Sequence, residues 1–397
     1  MRAAVLGAFP YPYPQGSQVF VTDHSRALRG VGFEVSLFTY GRGTGNAPDD
    51  VELVASPRWL SPTAMRSGPT LAKLPADAAL LSMLLGAHRE RPFDVSFAHN
   101  AEAATVALAA RAITNTPVIY VAHTIMRHEL ASYAAGRWER PLCEVGKRLD
   151  RFIARRVDGI ITLCEDASRL LSPHARGPLE TIPPGLDPRP LPSASQLAEV
   201  CARHALRPGR YTLYCGNLDG YQDLHLLADA AREGMATSES PPLEIVVATH
   251  DASRIPSSIR GLDNLACIEV GGFAEMRSLI AGAQSVVLTR RRQGGFPIKL
   301  LNYMEAAKPI VAYERVAPGF EHMRNAWLLK ANADGVELAD ALRTLARRDD
   351  LRADLGSGAR QLLEDAHPWA QLAQKTRAFA ETVVANRSAS RRHVPIK

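Results

Sequence analysis

The chain contains no run of the roughly 18 apolar residues that a membrane-spanning helix needs, so a bilayer-crossing topology is not expected. It has no C-x-x-C pair, and its five cysteines, Cys143, Cys164, Cys201, Cys215 and Cys267, are odd in number and scattered. That pattern argues against a zinc site or a disulfide framework and fits a reducing cytoplasm. Aromatic residues are few, at 6%, and are not interleaved with basic ones, which removes the stacking platform that single-stranded nucleic acid requires. G-x-G-x-x-G is missing as well, so a nicotinamide cofactor is not expected. The first apolar run meets Pro10, Pro12 and Pro14 too early to form a signal peptide.

What is present is ordinary for a folded protein. Apolar residues make up 46% and charged residues 22% of a 397-residue chain, too long for one compact core and suited to two domains. A net charge of +6 is mildly basic and favours anionic substrates or an anionic membrane surface.

Thr289 to Glu314, TRRRQGGFPIKLLNYMEAAKPIVAYE, concentrates the most chemistry. Ser285 to Leu288 before it is a β-branched apolar run and reads as a buried strand. Arg290, Arg291 and Arg292 then crowd a turn, and Gly294 and Gly295 let a ligand approach the backbone. Pro297 suits the first turn of a helix and Lys299 is expected one turn into it. Amides, lysine and arginines so converged make a place for a phosphate or diphosphate. The structural alternative is an ordinary strand, loop and helix with solvated arginines.

The same alternation of strands and helices runs through the chain. Arg2 to Gly7, Phe33 to Tyr40, Val95 to His99, Val118 to Ala122 and Gly159 to Leu163 read as strands of a first half. Tyr211 to Cys215, Leu243 to Ala248, Leu265 to Val270, Ser285 to Leu288 and Ile310 to Ala312 read as those of a second. Buried strands alternating with helices imply parallel sheets covered on both faces. Polar side chains at carboxyl ends of such strands face the ligand crevice, which selects His99, Asn100, Glu102, His123, Arg127 and Glu129. Each also has a structural reading, as a core histidine or a partner of a helix dipole. Ser56 to Gly68 is read as a loop on the acceptor side. Asp49-Asp50 and Asp349-Asp350 fall in expected surface turns and are read as solvated, leaving no metal site. Arg137 to Val157 carries seven cations along a helical pattern; such a face can lie on an anionic membrane or simply be solvated.

G-G-F-P-I-K-L-L-N-Y-M-E-A-A-K-P-I-V-A, Gly294 to Ala312, resembles the donor-binding signature of the retaining GT-B glycosyltransferases of family 4 (glycosyl transferases group 1), usually E-G-F-P-x-x-x-x-E-A-M-A-x-G-x-P-V-V-A. The resemblance implies two Rossmann-like domains with parallel sheets facing a central cleft, and transfer of a sugar from a nucleotide sugar, UDP-linked by preference, to an acceptor hydroxyl with retention. The two glutamates of the family motif fall on Gly294 and Asn302; Asn302 can still bond a ribose hydroxyl, while Gly294 offers only its amide. By the same resemblance Gly16, Asn217, Gly295, Phe296, Pro297 and Ile298 stand at donor-site positions, and Arg290, Arg291 or Arg292 with Lys299 are the cations near enough in sequence to replace the family's diphosphate grip. His123 resembles the family histidine beside the donor sugar or its phosphate, and is the catalytic candidate. The family's G-R-x-x-x-x-K-G reads Asn217 and Tyr221 at its cationic positions.

The implied layout is an acceptor-binding domain over 1–185, a linker over 186–207, a donor-binding domain over 208–367 and a helix over 368–385 that crosses back to the first domain. A disordered basic tail is expected over 386–397. No cofactor is expected, the nucleotide sugar being a substrate; the acceptor is a lipid carrier, a glycan or a small molecule. A sugar-nucleotide 2-epimerase of the same fold, or a non-catalytic binding subunit, are the other readings of this sequence.

Overall fold

The computed structural model describes residues 1–13, 16–44, 48–62, 71–133, 136–236 and 243–392. The chain folds as two compact units, one made of Met1–Gly185, Gly294–Phe296 and Pro368–Lys397 and the other of Leu186–Gln293 and Pro297–His367.

The first unit is built in the order β1 (Arg2–Pro10), α1 (Gly16–Gly30), β2 (Glu34–Tyr40), β3 (Glu52–Ala55), α2 (Leu74–Glu90), β4 (Val95–His99), α3 (Ala101–Thr114), β5 (Val118–Ala122), α4 (Met126–Ser132), α5 (Glu139–Ala154), β6 (Gly159–Thr162), α6 (Glu165–Leu171) and β7 (Leu179–Thr181). Its seven strands lie in the order β3-β2-β1-β4-β5-β6-β7, all parallel. Parallel strands covered on both faces must be apolar throughout, and β1, β4, β5 and β6 are buried almost residue for residue. Strand order reverses between β1 and β4, where Gly7 pairs with His99. That is the point at which open α/β sheets bind ligands.

The second unit runs α7 (Ala194–Arg203), β8 (Thr212–Cys215), α8 (His225–Ala236), β9 (Ile245–Thr249), β10 (Leu265–Glu269), α9 (Phe273–Gly282), β11 (Ser285–Leu288), α10 (Lys299–Glu305), β12 (Ile310–Tyr313), β13 (Trp327–Leu329), α11 (Gly335–Arg347) and α12 (Asp349–Ala366). Its six parallel strands lie in the order β10-β9-β8-β11-β12-β13, reversing between β8 and β11. The last helix, α13 (Trp369–Arg392), belongs to the first unit, where Trp369 stacks on Phe20 of α1 and Arg377 donates to the Val31 carbonyl.

Several boundaries differ from the sequence reading. The stretch 186–207 is no bare linker: Ser193 and Gln196 form a reciprocal capping box and start α7, because their side chains satisfy the backbone amides that a linker would leave to water. The stretch 386–397 is not wholly disordered, since α13 continues to Arg392, and only 393–397 lie outside the described residues. Asp349 and Asp350 open α12 instead of lying in a turn, and pair with Arg352 and Arg348. Of the loop Ser56 to Gly68, residues 63–68 lie outside the described residues.

Candidate functional site

In the second unit the two loops at the switch point are those after β8 and after β11. Strand β8 ends at Cys215, and Gly216 follows with a φ of 129°, a conformation that favours glycine. The space above it is taken by Lys299, whose Nζ would stand 2.9 Å from a Cβ at Gly216. Lys299 is part-buried as a residue, yet its Nζ is withdrawn from solvent and has no hydrogen-bond partner among the described residues. Nζ lies 4.2 Å from the centre of the Tyr214 ring, and burial pushes the ammonium down to about 8, with Cys215 opposing and Arg290 assisting. The ring face answers part of the charge of an ammonium so held.

Lys299 opens α10 instead of sitting one turn inside it. Leu300 and Leu301 bond the carbonyls of Pro297 and Ile298, three residues back, so a tight turn precedes the helix and takes up Pro297. Gly295 has a φ of 107°, again a glycine conformation, and Phe296 beside it is buried.

The arginine turn divides its labour. Arg290 is buried, donates from Nε to the Arg292 carbonyl at 2.7 Å and lies 5.9 Å over the Tyr221 ring. Arg291 faces Asp223, which accepts from its backbone amide at 3.0 Å and lies 3.7 Å from its Nε. Asn217 is tied into its own loop: it donates to Asp219 and Tyr221 at 2.8 and 3.1 Å and accepts from Gln222 at 2.7 Å. Asn302 is half-buried on α10. Three residues on, Glu305 is fully buried and accepts from the Arg189 amide at 2.9 Å and from Arg277 at 3.2 Å, which pins the entry of the chain into this unit.

In the first unit, His99 ends β4 fully buried, and His123 follows β5 at 7% exposure. His99 Nδ1 lies 2.7 Å from His123 Nε2, and His99 Nε2 lies 3.1 Å from Nδ1 of His24. His24 was not singled out from the sequence, although the signal was there: Phe20, Val21, His24, Ser25 and Leu28 form the buried stripe of α1, and a histidine on that stripe must point inward.

The other strand-end residues have structural partners. Asn100, at a φ of 77°, caps α3 by accepting from the Ala103 amide at 3.0 Å. Glu102 forms a buried ion pair with Lys73 at 3.0 Å. Glu129 accepts from the Thr124 hydroxyl and from Tyr133, and burial raises its carboxyl. The Arg127 amide is held by Asp150, which also accepts from Met126, at 3.0 and 2.9 Å; together they cap α4. Gly16 begins α1 exposed to solvent.

Comparison with known proteins agrees with this architecture. Residues 14–189 match the model of Glycosyltransferase Family 4 and residues 209–348 that of Glycosyl transferases group 1. No curated protein sequence matches the chain. Among solved structures, sucrose-phosphate synthase from Thermosynechococcus elongatus superposes with a TM-score of 0.77 at 15% identity, over 97% of this chain and 100% of that one. Anabaena Alr3699/HepE in complex with UDP-glucose gives 0.72 at 17% identity, over 97% and 100%, and has also been solved with UDP and glucose. WaaG, a glycosyltransferase involved in lipopolysaccharide biosynthesis, gives 0.69 at 15% identity, over 96% and 99%. With two parallel Rossmann-like sheets and matching models over both halves, the chain belongs to the GT-B glycosyltransferases of family 4, glycosyl transferases group 1.

Proposed function

We propose that this glycosyltransferase takes a UDP-sugar as donor and transfers the sugar to an acceptor hydroxyl with retention at the anomeric carbon. The observation that carries the donor assignment is the Nζ of Lys299, shut off from solvent beside Gly216 with no partner among the described residues. A buried ammonium without a counter-charge is costly and is a natural seat for one that arrives with the substrate, here the diphosphate. Arg290, drawn toward the same switch point, adds positive potential. Positive charge aimed at the leaving diphosphate is the largest single contribution such a site can make to breaking the glycosidic bond. The acceptor hydroxyl attacks the face that the diphosphate leaves and gives its proton to the departing phosphate oxygen. No protein nucleophile is required on that route, and His123 is assigned to the donor sugar or its phosphate. HepE, which binds UDP-glucose, supports uridine as the nucleoside.

The exposed face of α5 supports an acceptor at a membrane surface. Val145 and Phe152 on that helix and Trp138 just before it are 51, 42 and 59% exposed, among Arg137, Arg140, Arg148, Arg151, Arg155 and Arg156. Aromatic side chains among exposed arginines suit an anionic bilayer. None of the five cysteines, all among the described residues, is in a disulfide, which supports a reducing compartment.

The test is a calorimetric screen of the purified protein against uridine, guanosine, adenosine and thymidine diphosphates and their common sugar conjugates. Selective binding of a uridine sugar nucleotide supports the reading. No binding to any of them turns it toward a non-catalytic subunit, which the missing carboxylate at Gly294 favours; formation of the C2-epimeric nucleotide sugar without acceptor turns it toward an epimerase. Co-sedimentation with phosphatidylglycerol vesicles, and none with phosphatidylcholine alone, is the expected outcome for α5.

A further inference from the structure

The three histidines at the switch point of the first unit are bonded in series, from His24 on α1 through His99 at the end of β4 to His123 after β5. The contacts are 3.1 Å between His24 Nδ1 and His99 Nε2 and 2.7 Å between His99 Nδ1 and His123 Nε2. All three rings are buried, at 3, 0 and 7% exposure, and Phe20 stands within 5.7 Å of each of them, ring centre to ring centre. Phe97 and Trp369 close over His24. Burial pushes His24 and His123 down to about 3 and His99 well below the ordinary imidazole value, so all three are neutral near pH 7.

Neutrality makes the series directional. A neutral imidazole has one N–H donor and one bare nitrogen acceptor. His99 engages both nitrogens, so it donates to one neighbour and accepts from the other. Only two arrangements satisfy both contacts. In the first, His24 Nδ1–H donates to His99 Nε2 and His99 Nδ1–H donates to His123 Nε2, which leaves the His123 proton on Nδ1. In the second, His123 Nε2–H donates to His99 Nδ1 and His99 Nε2–H donates to His24 Nδ1, which leaves His123 Nδ1 bare. The outer nitrogen of His123 is a donor in one and an acceptor in the other. Its character is decided together with the tautomer of His24, two rings away.

We propose that His24 and His99 are positioning residues that set the tautomer of His123 through this series, and so decide whether its Nδ1 donates to or accepts from the substrate. The role of His123 toward a nucleotide sugar rests on the glycosyltransferase reading; the coupling of the three tautomers does not. An aspartate is the commoner partner for fixing an imidazole, but an anion there would favour imidazolium. A chain of neutral rings orients His123 without making it a cation.

The experiment is nitrogen NMR of the full chain with labelled histidine, assigned by single substitutions, before and after adding a UDP-sugar. The expected result is that His24, His99 and His123 all carry their proton on the same nitrogen, Nδ1 in all three or Nε2 in all three. In His24→Phe, which suits the aromatic surroundings, His123 should populate both tautomers. His99→Phe breaks both contacts at once and serves if His24→Phe does not fold. Turnover should fall about 10–100-fold in His24→Phe with UDP affinity unchanged, the scale of losing a group that orients an active-site histidine. Mixed tautomers in the parent protein, or a His123 tautomer unmoved by either cut, would overturn the proposal. Both outcomes are read without any turnover, so they stand apart from a failure to find the donor.

Discussion

The ammonium of Lys299 lies 4.2 Å from the centre of the Tyr214 ring and has no hydrogen-bond partner among the described residues. Keeping it there uncompensated costs stability, whereas an anion bound to it recovers a charge-assisted bond. Lys299→Met should therefore separate folding from binding. UDP affinity should fall by about 1.5–3 kcal/mol, the usual value of a hydrogen bond to a charged group. The melting temperature of the ligand-free protein should stay level or rise. Unchanged affinity in calorimetry would remove Lys299 from the donor site.

The same lysine gives a pH signature. Its folded value, about 8, lies below the ordinary 10.5, so between these values the unfolded chain holds a proton that the folded chain has released. This group's contribution to stability therefore rises with pH across that window, while the charge needed for the diphosphate is lost. UDP affinity should decline above pH 8, by up to about tenfold per unit, and the decline should be absent in Lys299→Met. A flat profile in the parent protein would assign the diphosphate to the arginines.

His123 faces a sharper separation of effects. If it meets the donor sugar or its phosphate, His123→Ala should lower turnover by about 100-fold or more, the lower end of what a positioned acid, base or hydrogen-bonding side chain supplies. UDP affinity should move little. Hydrolysis of the nucleotide sugar measured beside calorimetric binding tests this, and equal losses in both would mark His123 as part of the fold.

The order of strands and helices was legible because buried parallel strands are continuous apolar runs, as in Val118–Ala122 and Ile310–Tyr313. The edge strands β7 and β13 escaped: each has three residues, mostly part-exposed, too few to show a pattern. Lys299 could be placed near the donor loop from its spacing after Gly-Phe-Pro, but not its lack of a partner among the described residues, in a space left by Gly216 some 80 residues earlier in the chain. Asn100, Glu102 and Glu129 could not be told from acceptor ligands, because their partners Ala103, Lys73 and Thr124 are fixed only by the fold. His24 was within reach of helical periodicity, since only an inward face holds Phe20 and Leu28.

Gly146 on α5 lies against the first turn of α4, where an added Cβ would come within 2.4 Å of the Met126 carbonyl oxygen. Backbone cannot yield as a flexible side chain does. Gly146→Ala should destabilise the first unit by about 1–3 kcal/mol, the usual cost of overpacking, despite the better helix propensity of alanine. The measurement is chemical denaturation. A stability gain would mean that α4 and α5 move apart freely.

Asp150 sits beneath that contact, accepting the Met126 and Arg127 amides at 2.9 and 3.0 Å while burial pushes its carboxyl from 3.8 up to about 6. A raised carboxyl reverses the usual acid effect. Between 3.8 and about 6 the folded chain keeps a proton that the unfolded chain has lost, so the stabilisation is full below this window and disappears as pH rises through it. The shift corresponds to about 3 kcal/mol, at roughly 1.4 kcal/mol per unit. Asn cannot ionise, so the stability advantage of the parent over Asp150→Asn should shrink by about that amount from pH 4 to pH 7 in paired denaturation curves. An advantage that grows with pH would show that the two amides hold the carboxylate more strongly than burial opposes it.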